Sequence, residues 1–557
     1  MAETDTVRIS VPRLVQDRLY LFRSNAPDSY SDVLLARPTG HTTIEDKGPF
    51  LDGPVSPRIA VVDIDANTGG LRPASTFKPA TGRFDGRYLL DEALMDPDVE
   101  PLALEDPQFV QQSVFATAYH TLQFFEDLMG RRIDWAFPGQ QLLIVPRAGR
   151  MENAFYERES RSLQFFEFEI VASSKRERAQ RRLVYTALSH DIVAHETAHA
   201  ILDGIAPDLY DAILPESLAL HEAIADLAAI FLTLQNEMVL WSVLNISSST
   251  LDTLEVVARI AEEFGHDIRL GENAEFLRSA DNDYILDSAA DGSGGKLIDR
   301  HSPHDCSQVL TGAVFGVFRR HVEALSGDME KKIHRASRDI TRVLVPALDL
   351  LPPGDAGFAD FAQAVVAQAQ ISGRGAKIAR WLCDELHSRG VGARYEKITA
   401  APGLQPISGF DQSEIIRYAE GSRTLLGVPD DARLSSTLVQ RERVQGGRRN
   451  SGSESILRIG WDQQEKHAVG KELSGAWSIR TGLTLVFSTG DGRPLAVIKP
   501  STADNPGEQR SRQLQRWMAD GLLTYGTRDA GGGAIAISKN NGFLTATATA
   551  RTLHIVG

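Results

Sequence analysis

The sequence predicts an α+β fold in three parts: a mixed-sheet lobe that carries one decisive helix, a mainly helical lobe, and a C-terminal α/β or β-rich module. Three observations point there. Residues 1–105 are rich in Pro, Asp and Gly around short apolar runs such as Arg58-Ile-Ala-Val-Val-Asp-Ile, the pattern of short strands and turns. Residues 106–392 carry mostly helical spacing, broken at Pro207, Pro215, the Gly/Ser loop 291–295, Pro303 and Pro352-Pro353-Gly354. Residues 393–557 return to strand and turn signals, with Ser488-Thr-Gly-Asp-Gly and Lys539-Asn-Asn-Gly reading as hairpins.

Within this frame each element has a local reason. From Asp106 the apolar residues Val110, Val114, Ala118, Leu122, Phe125 and Leu128 recur at helical spacing, and Gln141-Leu-Leu-Ile-Val then reads as a buried strand before Pro146. Asn153-Ala-Phe-Tyr and Ser162-Leu-Gln-Phe-Phe-Glu-Phe form a hairpin, and helices dominate from about Arg178 to Gly390. These divisions give an N-lobe over 106–206, a helical C-lobe over 207–392 and a boundary near 392–408. The Gly, Arg and Ser stretch from Gln445 to Ser455 reads as a mobile loop.

Composition excludes several classes. The 557 residues hold 59 Lys and Arg against 74 Asp and Glu, a net charge of −15 that argues against a nucleic-acid partner. Two cysteines, Cys306 and Cys383, supply neither a disulfide framework nor a thiolate metal site, so a metal here needs His and carboxylate ligands. The first thirty residues are charged throughout and do not read as a secretory signal, which makes the cytoplasm the default location. The most apolar stretch, Leu218 to Leu234, contains His221, Glu222 and Asp226, so no membrane span is expected.

The chemistry is concentrated in His195-Glu196-Thr197-Ala198-His199. A helix places residues i and i+4 on one face, so both imidazoles can address one cation with Glu196 beside it. Zinc in a catalytic site takes three protein ligands and leaves a position open for water. Glu222, inside the apolar helix Leu218-Ala-Leu-His-Glu-Ala-Ile-Ala-Asp, is the expected third ligand, and Asp226 one turn on is placed to accept the second N–H of a ligating imidazole. His221 points some 100° away from Glu222 and reads as a supporting or core residue, and His190 reads as a surface residue.

On these residues the chain resembles the thermolysin-like zinc metallopeptidases of the gluzincin group. Asp191-Ile-Val-Ala-His-Glu-Thr-Ala-His is similar to that family's active-site helix, and Glu222-Ala-Ile-Ala-Asp226 to its third-ligand segment. The resemblance implies a role for Tyr210 at the reacting carbonyl, and for His304, oriented by Asp299, as the group that stabilises the oxyanion. It implies that Asn153 and Ala154 lie on an edge strand that binds extended substrate, and that Arg278 and Leu277, with Ile192, shape the first primed subsite. It extends over roughly 106–392. Of the family's acidic calcium cluster only Asp191 has a counterpart, so calcium is not carried over. His221 stands where the family commonly has asparagine, and Cys306 replaces another asparagine.

The expected activity is zinc-dependent endopeptidase cleavage, with Glu196 as general base and a hydrophobic residue preferred after the scissile bond. Partners are then a peptide or protein substrate, with a further protein partner for the C-terminal module. A catalytically silent zinc-binding regulatory protein on the same fold is the alternative. A zinc hydrolase of non-peptide amides is a third reading, which the Asn153-Ala154 strand disfavours.

Overall fold

The computed structural model describes residues 6–14, 20–21, 33–34, 39–65, 68–81, 85–90, 106–172, 180–237, 240, 244, 250–260, 277–286, 303–400, 402–445, 448–469, 474–501, 506–520, 523–525, 535–540 and 543–548. The fold is mixed α and β with several separate sheets, compatible with the α+β class.

The chain opens with β1 (Thr6–Leu14), the short pair β2 (Tyr20–Leu21) and β3 (Val33–Leu34), and β4 (Thr39–Lys47), which runs antiparallel to β1 from Thr6↔Lys47 to Leu14↔Thr39. After β5 (Ile59–Val61), β6 (Phe77–Lys78) and β7 (Gly86–Tyr88) complete a four-stranded sheet in the order β4-β1-β7-β6. Helix α1 (Pro107–Met129) packs against it. Its ends are well specified: Asp106 accepts hydrogen bonds from the amides of Gln108 and Phe109, Pro107 sits in the first turn, and Gly130 closes the helix in the left-handed conformation at φ 67°. Phe109, Phe115, Leu122 and Phe125 are buried on different sides of it, as expected of a helix enclosed by neighbours.

A second sheet has the order β5-β8-β10-β9, from β8 (Leu142–Val145), β9 (Ala154–Glu157) and β10 (Ser162–Phe165). The pairings β5-β8 and β8-β10 are parallel, and β10-β9 is antiparallel from Ser162↔Glu157 to Phe165↔Ala154. Strand β9 therefore stands at the edge, and α2 (His190–Ile205) packs against it. The hairpin of β11 (Glu167–Ala172) and β12 (Gln180–Tyr185) leads into that helix.

Pro207 and Pro215 break the chain as expected, and α3 (Pro215–Thr233) packs on α2. From Ser217 to Thr233 every residue of α3 is buried, so this helix has no solvent face. Beyond α4 (Thr250–Val257) and the short pair β13 (Arg259–Ile260) and β14 (Arg278–Ser279), four helices follow: α5 (Pro303–Ala324), α6 (Met329–Ala347), α7 (Phe358–Ser372) and α8 (Ala376–Ser388). No helix among the described residues is long and apolar enough to cross a membrane.

After α9 (Gln412–Gly421) and α10 (Arg423–Leu426) comes a seven-stranded sheet of β15 (Ser435–Gln445), β16 (Arg448–His467), β17 (Gly475–Ser488), β18 (Pro494–Ile498), β19 (Leu523–Tyr525), β20 (Ile535–Asn540) and β21 (Phe543–Ala548), with α11 (Pro506–Ala519) before β19. The polar stretch read as a loop is largely strand: β15 and β16 pair from Ser435↔Gly460 through Glu442↔Ser453 to Gln445↔Arg448. Backbone groups make this ladder, so polar side chains do not prevent it.

The sheet does not stand apart from the helices. Strand residues alternate between two faces. Ile456, Val486 and Ile498 join the main core of the helical region, while Leu457, Leu485 and Phe487 cover a smaller core with Ile415 and Leu426. Gly354, at φ 98°, lies so close to the backbone of Arg480 that a Cβ would meet the carbonyl oxygen at 2.4 Å.

Polar contacts tie the same face down. Asp349, fully buried, takes a two-pronged bond from Arg131 at 2.6 and 3.1 Å, with Arg441 and Arg458 at 3.7 and 3.8 Å. Arg458 also donates to the carbonyls of Ile205, Leu348 and Asp349, so a strand of the C-terminal sheet caps the last residue of α2. Burial alone would raise the Asp349 carboxyl, but Arg131, Arg441 and Arg458 hold it below the ordinary aspartate range.

Asp349→Asn leaves these guanidinium groups short of their counter-charge. Urea unfolding at pH 7 should show a loss of about 3–5 kcal/mol. Because the folded carboxyl is the stronger acid, this contribution is complete above the ordinary aspartate range and disappears as pH falls through its lowered value. A loss under about 1 kcal/mol would contradict the role given to Asp349.

Candidate metal centre

Helix α2 begins where Ser189 Oγ accepts the amide of Ile192 at 3.1 Å, and its last turn gives way to a 3-10 turn at Pro207–Leu209. All but Ile192 and Gly204 of its residues are buried. His195 and His199 therefore emerge within the protein and face α3, where Glu222 and Asp226 lie one turn apart.

Three donor atoms converge there. His195 Nε2 and His199 Nε2 are 2.9 Å apart, and each is 3.3 Å from Glu222 Oε2. A tetrahedral zinc ion with bonds of about 2.0–2.2 Å has donor–donor edges of about 3.3–3.6 Å. The two His–Glu contacts already match that edge, and the His–His contact needs to open by only about 0.4 Å. Two nitrogens and a carboxylate oxygen are a donor set that suits zinc. Both groups of three metal-donor side chains found among the described residues include His195: one with Glu196 and His199, the other with Glu222 and His304.

The far nitrogens of both imidazoles are engaged. His195 Nδ1 lies 2.9 Å from Asp226 Oδ1, and Arg278 grips the same carboxylate through Nε at 2.9 Å and Nη2 at 2.7 Å. Burial opposes charge on Asp226, yet Arg278 and His195 lower its carboxyl to about 2. Burial likewise opposes the imidazolium of His195, but Asp226 and Glu222 raise it to about 9. A metal taken at Nε2 would displace a proton there, with Asp226 holding the remaining one on Nδ1.

His199 Nδ1 lies 2.7 Å from His221 Nδ1, the rings nearly stacked at 27°. When His199 gives Nε2 to a metal its Nδ1 carries the proton, so His221 must accept at Nδ1 and keep its own proton on Nε2. His221 is thus placed to orient His199.

Glu196 is placed by the edge strand. The Tyr156 amide donates to Glu196 Oε2 at 3.0 Å, and by the alternation of a strand the backbone of Ala154 faces the same edge, which no other described strand pairs. Asn153 Oδ1 accepts the Ala154 amide at 2.9 Å, which leaves the Ala154 carbonyl as that residue's edge acceptor. Behind the strand, fully buried Asp203 of α2 accepts the Tyr156 hydroxyl and the Arg158 Nε, both at 2.8 Å. Arg158 also reaches Asp211 at 2.7 Å and lies 4.1 Å above the Tyr210 ring, whose hydroxyl accepts the Arg158 amide at 3.5 Å. Sequence reasoning missed this group. Its signal was Asp203, a carboxylate in the apolar run Ala200-Ile-Leu-Asp-Gly-Ile that requires a buried cation.

The structure brings together His195, Glu196, His199, Glu222, Asp226 and Arg278, and sets Asn153, Ala154 and Tyr210 along the edge strand and its support. His304 Nε2 lies 3.2 Å from Glu222 Oε2. Ile192 and Leu277 pack half-buried against the main core. The Asp191 carboxylate faces His190 at 3.3 Å and accepts from Thr233 at 3.3 Å. His190 is buried rather than on the surface, because α1, β9 and α3 pack around α2 and leave its first turn little solvent. Asp299 lies outside the described residues.

No known protein family and no curated protein matches the sequence in comparison. A substitution at His221 tests the site directly. His221→Asn keeps an acceptor for His199 and should hold zinc within about threefold of wild type in a chelator competition, whereas His221→Leu should weaken it about 10–100-fold. Equal affinities for both variants would show that His199 needs no acceptor.

Proposed function

We propose that this chain is a zinc-dependent endopeptidase of the thermolysin-like kind, with a mixed-sheet lobe and a helical lobe meeting at the metal centre. The observation that carries the reading is the convergence of His195, His199 and Glu222, with Glu196 held beside them by an amide of an open strand edge. When bound by those three residues, zinc lowers the pKa of a water molecule from about 15.7 towards 7.

The protein's own groups do the rest. A peptide adds to the free edge of β9 as one more strand, with the Ala154 carbonyl as acceptor, so that affinity comes from main-chain bonds. Glu196 takes the proton of the attacking water and delivers it to the leaving amine. Its carboxylate is buried, and the Tyr156 amide fixes one oxygen. His304 and Tyr210 donate to the substrate oxygen as it gains negative charge. Leu277 and Ile192 favour a hydrophobic residue after the scissile bond. Arg278, bonded to Asp226, fixes His195 and has its remaining N–H groups for a substrate carbonyl.

One observation favours the silent zinc-binding reading. At 3.2 Å from Glu222, His304 is close enough to serve as a fourth ligand and close the site. Two substitutions separate the readings. Glu196→Gln should keep one zinc per chain and lose about 10²–10⁴-fold in peptide cleavage. His304→Ala should retain zinc and lose about 10²–10³-fold in kcat. Zinc lost from His304→Ala, with wild type inactive on peptides, would establish the closed site instead.

A further inference from the structure

Away from the metal centre, a cavity of about 590 Å³ opens between the end of α1, helices α6 and α8, and strand β15. Its size is that of a small-molecule site. Three exposed cations line it: Arg342 of α6, Arg374 from the turn before α8, and Lys377 in the first turn of α8. Its buried aromatic is Trp381, which Lys377 Nζ approaches to 4.4 Å and Arg320 to 4.5 Å.

The carboxylates that line the cavity do not balance these cations. Asp339 is committed to His321 at 3.1 Å and Arg335 at 3.8 Å, and Glu454 to Arg441 at 2.8 Å. Burial pushes the Asp127 carboxyl up, which works against its charge. The ion pairs made by α6 among the described residues reach neither Arg338 nor Arg342. Burial and the like charges of Arg338 and Arg374 instead push the Arg342 guanidinium down.

We propose that this cavity binds a compact small-molecule polyanion, whose phosphate or carboxylate oxygens are taken by Arg342, Arg374 and Lys377. Guanidinium forks match either group, and an anion there relieves the mutual repulsion of the cations. The whole chain carries a net charge of −15, which favours a compact ligand over an extended polyanion. This site is independent of the metal centre and of the peptidase reading.

The test is calorimetric titration of the full chain with inorganic tripolyphosphate and, separately, with citrate, at low salt. The expected result is one site per chain for at least one of them; the tighter of the two identifies the chemistry. Affinity should fall at least ~10-fold in Arg342→Gln/Arg374→Gln and stay within ~2-fold in Lys331→Gln, a cation paired with Asp328 outside the cavity. Lys377→Gln gives a second, single-site loss should the double variant not fold. No binding of either anion, or equal binding by wild type and the cavity variants, would overturn the proposal. So would a single-stranded oligonucleotide that binds more tightly than tripolyphosphate, since it would mark an extended polyanion surface.

Discussion

One buried carboxylate organises the candidate metal centre. Asp226 sits in the middle of a helix with no solvent face, where an unpaired charge costs several kcal/mol. It persists there because Arg278 and His195 hold it from two sides. The same contacts set the ring of His195, and with it the direction of Nε2 towards Glu222. Every other polar choice on the facing turns follows the same logic. His221 satisfies His199, and Asp203 satisfies Tyr156 and Arg158, which carry the strand that positions Glu196. Two imidazoles and the carboxylates of Glu196 and Glu222 are thereby kept inside an apolar core.

The C-terminal sheet belongs to this support. Arg458 reaches from β16 to the carbonyl of Ile205, the last residue of α2, and Trp477 and Ile479 cover Ala212, Ile213 and Leu218, which lead into and begin α3. Both helices of the candidate centre are thus held at one end by residues more than 200 positions away in the chain. Such non-local contacts are costly in loop entropy and are repaid only by burial and by satisfied polar groups such as Asp349.

Much of the centre was legible because helical periodicity is a local signal. The i, i+4 histidines, Glu222 and the Asp226 one turn later needed only the 3.6-residue repeat and an expectation that two adjacent helices pack. The strand at Ala154–Glu157 and its hairpin were readable from alternation and turn residues. Arg158 and Asp203 were not, since their pairing joins elements 45 residues apart and no periodicity reports a salt bridge. The burial of His190 escaped for the same reason: a helix position says which way a side chain points, not what stands there. The 445–455 stretch misled because composition describes side chains, whereas the β15-β16 ladder is made by backbone. The two long arginine contacts of the sheet likewise left no mark in the local sequence.

The central claim is that His195, His199 and Glu222 hold one zinc ion with a coordination position open to water. X-ray absorption at the zinc edge on the purified full chain measures this directly. The account predicts one zinc per chain bound by two imidazole nitrogens at about 2.0–2.1 Å, a carboxylate oxygen, and one exchangeable water oxygen. A third imidazole in place of that water would identify His304 as a ligand and a closed structural site; absence of zinc under saturating metal would contradict the account outright.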